Sequence, residues 1–205
     1  MEKNKIIPFP DKKYNIIYAD PPWKYRKSGG IKSARGLAKK YYSTMDIKDI
    51  KAIPVQDISD RNCYLFLWVT APCIQEGLDV LKAWGFELFT IAFTWIKTNK
   101  IADSLFWGMG NATRANAEYV LLGRKGKLER KAKNIHSVLL SKIESHSKKP
   151  DEIRRRIELL YGNIPRIELF ARLPKDRLFE DESFKGWDVW GNEVENDIKM
   201  EIVKK

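Results

Sequence analysis

The stretch Tyr14-Asn-Ile-Ile-Tyr-Ala-Asp-Pro-Pro-Trp23 decides how the rest of the chain is read. Its first six residues are an apolar run of strand-forming side chains, and a short run of this kind bounded by turn residues is the pattern of a strand covered on both faces. Asp20-Pro21-Pro22 ends it, because each proline pushes the residue before it toward extended geometry and removes an N–H from any ladder. Turn chemistry alone would account for those three residues, but their types also suit one particular task. An exocyclic amino group on a nucleobase is a poor nucleophile, since its lone pair is delocalised into the ring. A carboxylate such as Asp20 can accept one amino hydrogen, and the Pro21 carbonyl, aimed by the stiff Pro21-Pro22 turn, can accept the other. Trp23 offers a flat apolar face for a base taken out of its stack.

With 205 residues, 43% of them hydrophobic, the chain can bury one sizeable core, and no repeat or low-complexity tract divides it. One domain over residues 1–195 is expected, followed by a charged tail over 196–205. The longest uncharged apolar runs, around 63–74 and 86–96, are too short to span a bilayer, and Met1-Glu-Lys-Asn-Lys5 has no apolar signal region behind it. A soluble cytoplasmic protein with no membrane partner is therefore expected. Cys63 and Cys73 fit a reducing compartment and exclude a disulfide framework or a thiolate zinc site, and with His136 and His146 the only histidines no metal is expected. The net charge of +11, from 38 Lys and Arg against 27 Asp and Glu, favours a polyanionic partner. The positive residues form three clusters: Lys24, Arg26, Lys27, Lys32, Arg35, Lys39 and Lys40; Arg124 to Lys133; and Lys148 to Arg156. Each can either neutralise phosphates or serve as a solvated surface.

Outward from the first strand the chain alternates. A long Gly- and Lys-rich loop runs to about residue 42, and a helix follows at about 46–53, with Ser43 and Asp46 in capping-box spacing. Cys63 to Val69 reads as a buried strand, Pro72 to a Gly85 stop as a helix, and Phe86 to Trp95 as the next strand. Residues 98–115 read as a loop, 117–122 as a strand, 135–140 as a candidate short strand, Pro150 to Gly162 as a helix, and Arg166 to Ala171 as a strand. Alternating strands and helices predict an α/β chain with a mostly parallel, doubly wound sheet.

Six motifs in order carry a resemblance that runs from strand 14–19 to about Val194: Ala19-Asp-Pro-Pro-Trp23, Leu65-Phe-Leu-Trp-Val-Thr70, Trp95-Ile-Lys-Thr-Asn99, Lys149-Pro-Asp-Glu-Ile153, Ile167-Glu-Leu-Phe-Ala-Arg172, and Gly186-Trp187 leading into Trp190-Gly-Asn192. In these the chain resembles the eukaryotic mRNA N6-adenosine methyltransferase catalytic-subunit family and its bacterial and phage relatives. The resemblance implies a single Rossmann-like S-adenosylmethionine-dependent methyltransferase domain with permuted motif order, adenine N6 as acceptor, and a prokaryotic or phage source. It implies that Lys149 pairs with the methionine carboxylate of the cofactor, that Arg172 and Asn192 bind its ribose, and that Asp20 and Glu193 complete that set. Where the family often has Gln after Gly-Asn, Glu193 stands here, and Leu173-Pro174-Lys175 stand where it often has a His. Trp23, Lys24, Tyr25, Arg26, Lys97, Asn99 and Arg114 are the substrate-binding residues it implies, with loops 24–40 and 98–115 as gates; Trp68 and Trp95 are expected in the core.

Other signals lead elsewhere. Pro72-Cys73 lacks any supporting motif for a nucleophilic cysteine, and Gly108-Met-Gly110 follows no strand and has no third glycine, so it is not a dinucleotide fingerprint. The expected reaction is transfer of a methyl group to adenine N6 in DNA. RNA as substrate, cytosine N4 as acceptor, and a catalytically silent nucleic-acid-binding subunit are the alternatives, and a homodimer or a methyltransferase-like partner subunit is compatible with each.

Overall fold

The computed structural model describes residues 12–24, 44–110, 112–144, 148–172 and 184–191. Strand β1 (Tyr14–Ala19) is an interior strand of a seven-stranded sheet. After it come the short helix α1 (Ile47–Lys51), strand β2 (Ser59–Thr70), helix α2 (Ile74–Ala83) and strand β3 (Glu87–Thr98). Then follow β4 (Ala117–Lys125), β5 (Val138–Lys142), helix α3 (Glu152–Tyr161), β6 (Arg166–Leu169) and β7 (Asp188–Trp190). The sheet order is β5-β3-β4-β2-β1-β6-β7. Strands β1, β2, β6 and β7 pair in parallel, as do β3 and β5, whereas β4 runs antiparallel between β2 and β3. The sheet is thus mostly parallel and α/β, as expected. At one place the sheet departs from parallel pairing of consecutive strands: β2 and β3 are separated by β4, which turns back from the loop after β3.

Period-two alternation sends side chains to two cores, one on each face of the sheet. Ile17, Ala19, Leu65, Leu67 and Val69 face one core, where Ile50 from α1 and Val80 and Leu81 from α2 meet them. Ile16, Tyr18, Tyr64, Phe66 and Trp68 face the other, against Ile153, Ile157 and Tyr161 of α3. Tyr14 shares a face with Ile17 because the β1–β2 register shifts between Tyr14 and Ile16. Helices α2 and α3 stop where the sequence places glycines: Gly85 and Gly162 have φ of 79° and 77°, a region that costs glycine little. At α1 the expected capping box is absent on the Asp46 side. Its carboxylate makes no cap bond, since Lys24 holds it at 2.5 Å; Ser43 lies outside the described residues.

In a sheet of this kind the crevice lies beyond the carboxyl ends of the parallel strands, where the chain order reverses. Here that point is β1, with β2 on one side and β6 on the other, and Asp20 is the first residue past its end.

Candidate active site

Asp20-Pro21-Pro22 turns sharply away from β1. The Trp23 N–H donates to the Pro21 carbonyl at 2.8 Å, and the Met45 N–H donates to the Pro22 carbonyl at 2.9 Å. The loop is therefore pinned to the chain entering α1, and Lys24 adds its ion pair to Asp46.

Four charged side chains from separate parts of the sequence converge at this edge. The Lys149 ammonium lies 3.1 Å from Asp20 Oδ2 and 3.1 Å from Glu118 Oε2. Lys97 bonds the other Glu118 oxygen, Oε1. Anion and cation alternate, Asp20, Lys149, Glu118, Lys97, and all four are largely shielded from water. Their floor is aromatic: Lys149 Nζ stands 5.3 Å from the Trp68 ring and Lys97 Nζ 5.0 Å from the Trp95 ring, the two indoles meeting edge to face at 6.1 Å. Trp68 Nε1 donates to the Tyr18 hydroxyl at 2.6 Å, so this floor is anchored in the core, as expected for Trp68 and Trp95.

Burial pushes the Asp20 carboxyl above its ordinary value, opposed first by Lys149 and then by Arg172. Burial also raises Glu118, but there Lys149 and Lys97 together outweigh it and the group ends below the usual range. Lys149 loses solvation too, yet the carboxylates of Asp20 and Glu118 more than compensate and hold it charged. Arg172 comes close enough for Asp20 to sense its charge because the chain turns immediately after β6. Phe170 adopts φ of 62°, a left-handed conformation uncommon for a bulky residue, and the Ala171 N–H then reaches the Trp190 carbonyl at 2.9 Å.

The adjacent Asp20 and Lys149 heads present one acceptor and one donor of opposite charge, the complement of an amino-acid zwitterion such as the methionine end of S-adenosylmethionine. The residues present fit that group.

Several expectations change. Trp23 is not an open stacking face: it is buried, belongs to the core packed with α1, and its indole N–H donates to the Trp68 carbonyl at 2.9 Å. A large ring at the root of a tight loop is held more strongly by burial than by waiting in water. Asn99 braces its own loop, its amide donating to Ser104 Oγ at 2.8 Å and the Leu105 carbonyl at 3.2 Å. Arg114 stacks on Trp107, 4.4 Å from the ring centroid. Tyr25, Arg26, Asn192 and Glu193 lie outside the described residues, as does most of the first basic cluster. The third cluster is largely engaged in pairs: Arg154 with Glu168 at 2.6 Å, Arg155 and Arg156 with Glu152, and Lys148 with Glu144. Arg124 and Lys125, from the second cluster, stand at the far end of β4 from the site. An apolar groove of about 520 Å³ lined by Leu78, Leu81, Phe86 and Leu88 also opens at the amino end of β3, away from the charged cluster.

Glu118 was not singled out from the sequence, yet it joins the two lysines. The available signal was a carboxylate inside an otherwise apolar strand, Ala117-Glu-Tyr-Val-Leu-Leu122, because a buried charge requires partners. Among the described residues no group of three or more His, Cys, Asp or Glu side chains is placed to hold a metal ion.

The MT-A70 family profile matches residues 14–193. A type II methyltransferase, M.MunI of Mycoplasma sp, is 34% identical across 97% of this chain and 85% of its own length. The N(6)-adenosine-methyltransferase MT-A70-like protein of Drosophila melanogaster is 31% identical over 78% of this chain but only 24% of its own length. The human N(6)-adenosine-methyltransferase catalytic subunit METTL3 is 29% identical over 78% of this chain and 26% of its own.

Proposed function

The chain belongs to the MT-A70 family and is a methyltransferase that uses S-adenosylmethionine, and from that premise we propose that its acceptor is the N6 amino group of adenine in DNA. The observation that carries the chemistry is the Asp20 carboxylate at the end of β1, half of a charged pair with Lys149 and followed by a pinned Pro-Pro turn. DNA rather than RNA is favoured because the similarity to M.MunI runs through nearly the whole of both chains, whereas it spans about a quarter of the N(6)-adenosine-methyltransferases.

In this reading Asp20 accepts one amino hydrogen of an adenine turned out of the helix. The Pro21 carbonyl already carries the Trp23 N–H, and its second lone pair accepts the other hydrogen. Both contacts draw the nitrogen lone pair out of conjugation, so that it points along a line of attack. Lys149 holds the carboxylate of the methionine moiety while Glu118 and Lys97 fix its position, and Asp20 and Arg172 with Asn192 and Glu193 complete the cofactor side. The bound cofactor supplies a sulfonium methyl. No covalent enzyme intermediate is required, and the amino proton leaves to solvent or to the Asp20 carboxylate, whose affinity for protons is raised.

We read residues 1–195 as the catalytic domain and 196–205 as a charged tail. No helix of the described residues is long and apolar enough to cross a membrane, and two buried cysteines that form no disulfide suit the reducing cytoplasm of a prokaryotic or phage-infected cell. Leu88, Phe89 and Ile91 are exposed on the half of β3 that β5 does not reach, which favours pairing with a second methyltransferase-like chain; sedimentation of the purified protein reads this.

The test is transfer of labelled methyl to unmethylated duplex DNA, single-stranded DNA and RNA, followed by nucleoside analysis. N6-methyladenine in DNA is expected, and Asp20→Ala abolishes it while part of the cofactor binding survives. N4-methylcytosine, label in RNA alone, or full turnover by Asp20→Ala overturns the reading.

A further inference from the structure

Six of the seven tryptophans are no more than 6% exposed; the seventh, Trp107, is 69% exposed. It stands in the loop joining β3 to β4, at the end of the sheet where Lys97 and Glu118 hold the charged cluster. This loop is braced rather than trailing. The Phe106 N–H donates to the Lys97 carbonyl at 2.9 Å, the Ala115 N–H to the Gly108 carbonyl at 3.2 Å, and Asn99 ties down Ser104 and Leu105. The two limbs press together so closely that a Cβ on Gly108 would lie 2.1 Å from the Ala115 carbonyl oxygen. A held backbone therefore presents a large ring to water, with the exposed Arg114 guanidinium 4.4 Å from its centroid and the exposed side chains of Leu105 and Met109 nearby in sequence.

Left in water, such a ring forfeits the burial that the other six achieve. A flat apolar ring beside a guanidinium is the complement of a nucleobase with its phosphate, and the chain as a whole carries a net charge of +11. When a base leaves its stack, the neighbour it abandons loses a partner, and Trp23, being buried, has no open face to offer. We propose that Trp107 and Arg114 form a stacking seat for a nucleobase adjacent to the methylated one, Trp107 taking the base and Arg114 its phosphate. This rests on the reading of DNA as substrate.

Trp107 is its own reporter, because the other indoles are buried and emit at shorter wavelength. A short single-stranded oligodeoxynucleotide is expected to quench the long-wavelength tryptophan emission of the cofactor-free protein, and Trp107→Phe to lose most of that signal. In methyl transfer, Trp107→Ala is expected to raise KM for DNA about ten- to a hundredfold, as loss of a single base–aromatic stack does. Its kcat, thermal melting and cofactor binding stay close to the parent, and Trp107→Phe recovers most of the KM. Arg114→Ala should weaken oligonucleotide binding and reduce its salt dependence.

Unchanged KM in Trp107→Ala, or equal quenching in Trp107→Phe, overturns the seat. So does a protein-concentration-dependent blue shift, without DNA, that Trp107→Phe abolishes, since a second copy of the chain then covers the ring. Quenching of Trp107 by the oligonucleotide in a protein that transfers no methyl to DNA sinks the acceptor reading and leaves the seat standing; methylation with no Trp107 signal does the reverse.

Discussion

Replacing Lys149 by Met removes the cation that separates two carboxylates, and the consequence can be worked from the geometry. Lys149 Nζ contacts Asp20 and Glu118 at 3.1 Å each, and all three side chains are less than a fifth exposed, so water does little to substitute. At an effective dielectric constant of about 20, each contact is worth about 5 kcal/mol before desolvation. Desolvation offsets much of that in the intact pair, but removing one partner of a buried pair leaves the other uncompensated and costs about 3–5 kcal/mol. In a chain of this size that lowers the melting temperature by about 10 °C. Glu118 retains its hydrogen bond to Lys97, whereas Asp20 is left with the charge of Arg172, so the larger share of the loss falls on Asp20. The sign with pH follows. The folded-state value of Asp20 is already raised above 3.8 by burial, opposed by Lys149, and losing Lys149 raises it further. A carboxyl raised on folding loses stability as pH climbs from its unfolded value through its folded one. Glu118 changes the same way, since its lowered value, which stabilises the fold above 4.5, relaxes upward without Lys149. Urea unfolding of parent and Lys149→Met should therefore differ less near pH 4 than at pH 8. Adding Asp20→Asn to Lys149→Met should recover part of the deficit. A deficit below about 1 kcal/mol at pH 8, or one that does not grow from acid to neutral pH, refutes the buried alternating cluster.

Trp23→Phe deletes the donor to the Trp68 carbonyl and trims a core ring, so it should cost about 1–3 kcal/mol in urea unfolding; lost turnover at full stability would instead restore Trp23 as a stacking face. Arg154→Met leaves the Glu168 carboxylate buried without its 2.6 Å partner, for a loss of about 3–5 kcal/mol that Glu168→Gln in the same chain should largely reverse, read by the same unfolding curves. Thiol titration of the native protein should find neither cysteine reactive and both reactive in denaturant, since both are buried and burial pushes the Cys63 thiol up to about 12. Rapid modification of the native protein would place a thiol at the surface.

The elements that local pattern can specify were legible. Tyr14–Ala19 and Cys63–Val69 announce themselves as strands because their apolar runs are continuous, Gly85 and Gly162 mark where helices stop, and Asp20 is placed at a strand end by the prolines after it. Lys149, Lys97 and Arg114 were also identified, though not what each would touch. What escaped was pairing between residues far apart in the chain. Nothing near Glu118 in sequence states that β4 inserts antiparallel between β2 and β3, yet that insertion carries its amino end to the carboxyl ends of the parallel strands and sets Glu118 between Lys97 and Lys149.

The sequence alone determined the fold class, the position of Asp20 at the end of β1 and the family, because hydrophobic periodicity, proline and glycine constraints and contiguous motifs are local properties. Only the tertiary structure decided which charges neutralise one another and which tryptophan stays outside. Arg154 is buried against Glu168, Trp23 is withdrawn into the core, and Trp107 is held in water. Composition assigns these side chains the same charge or the same apolar surface, and their roles separate only when packing sets which of them water can still reach.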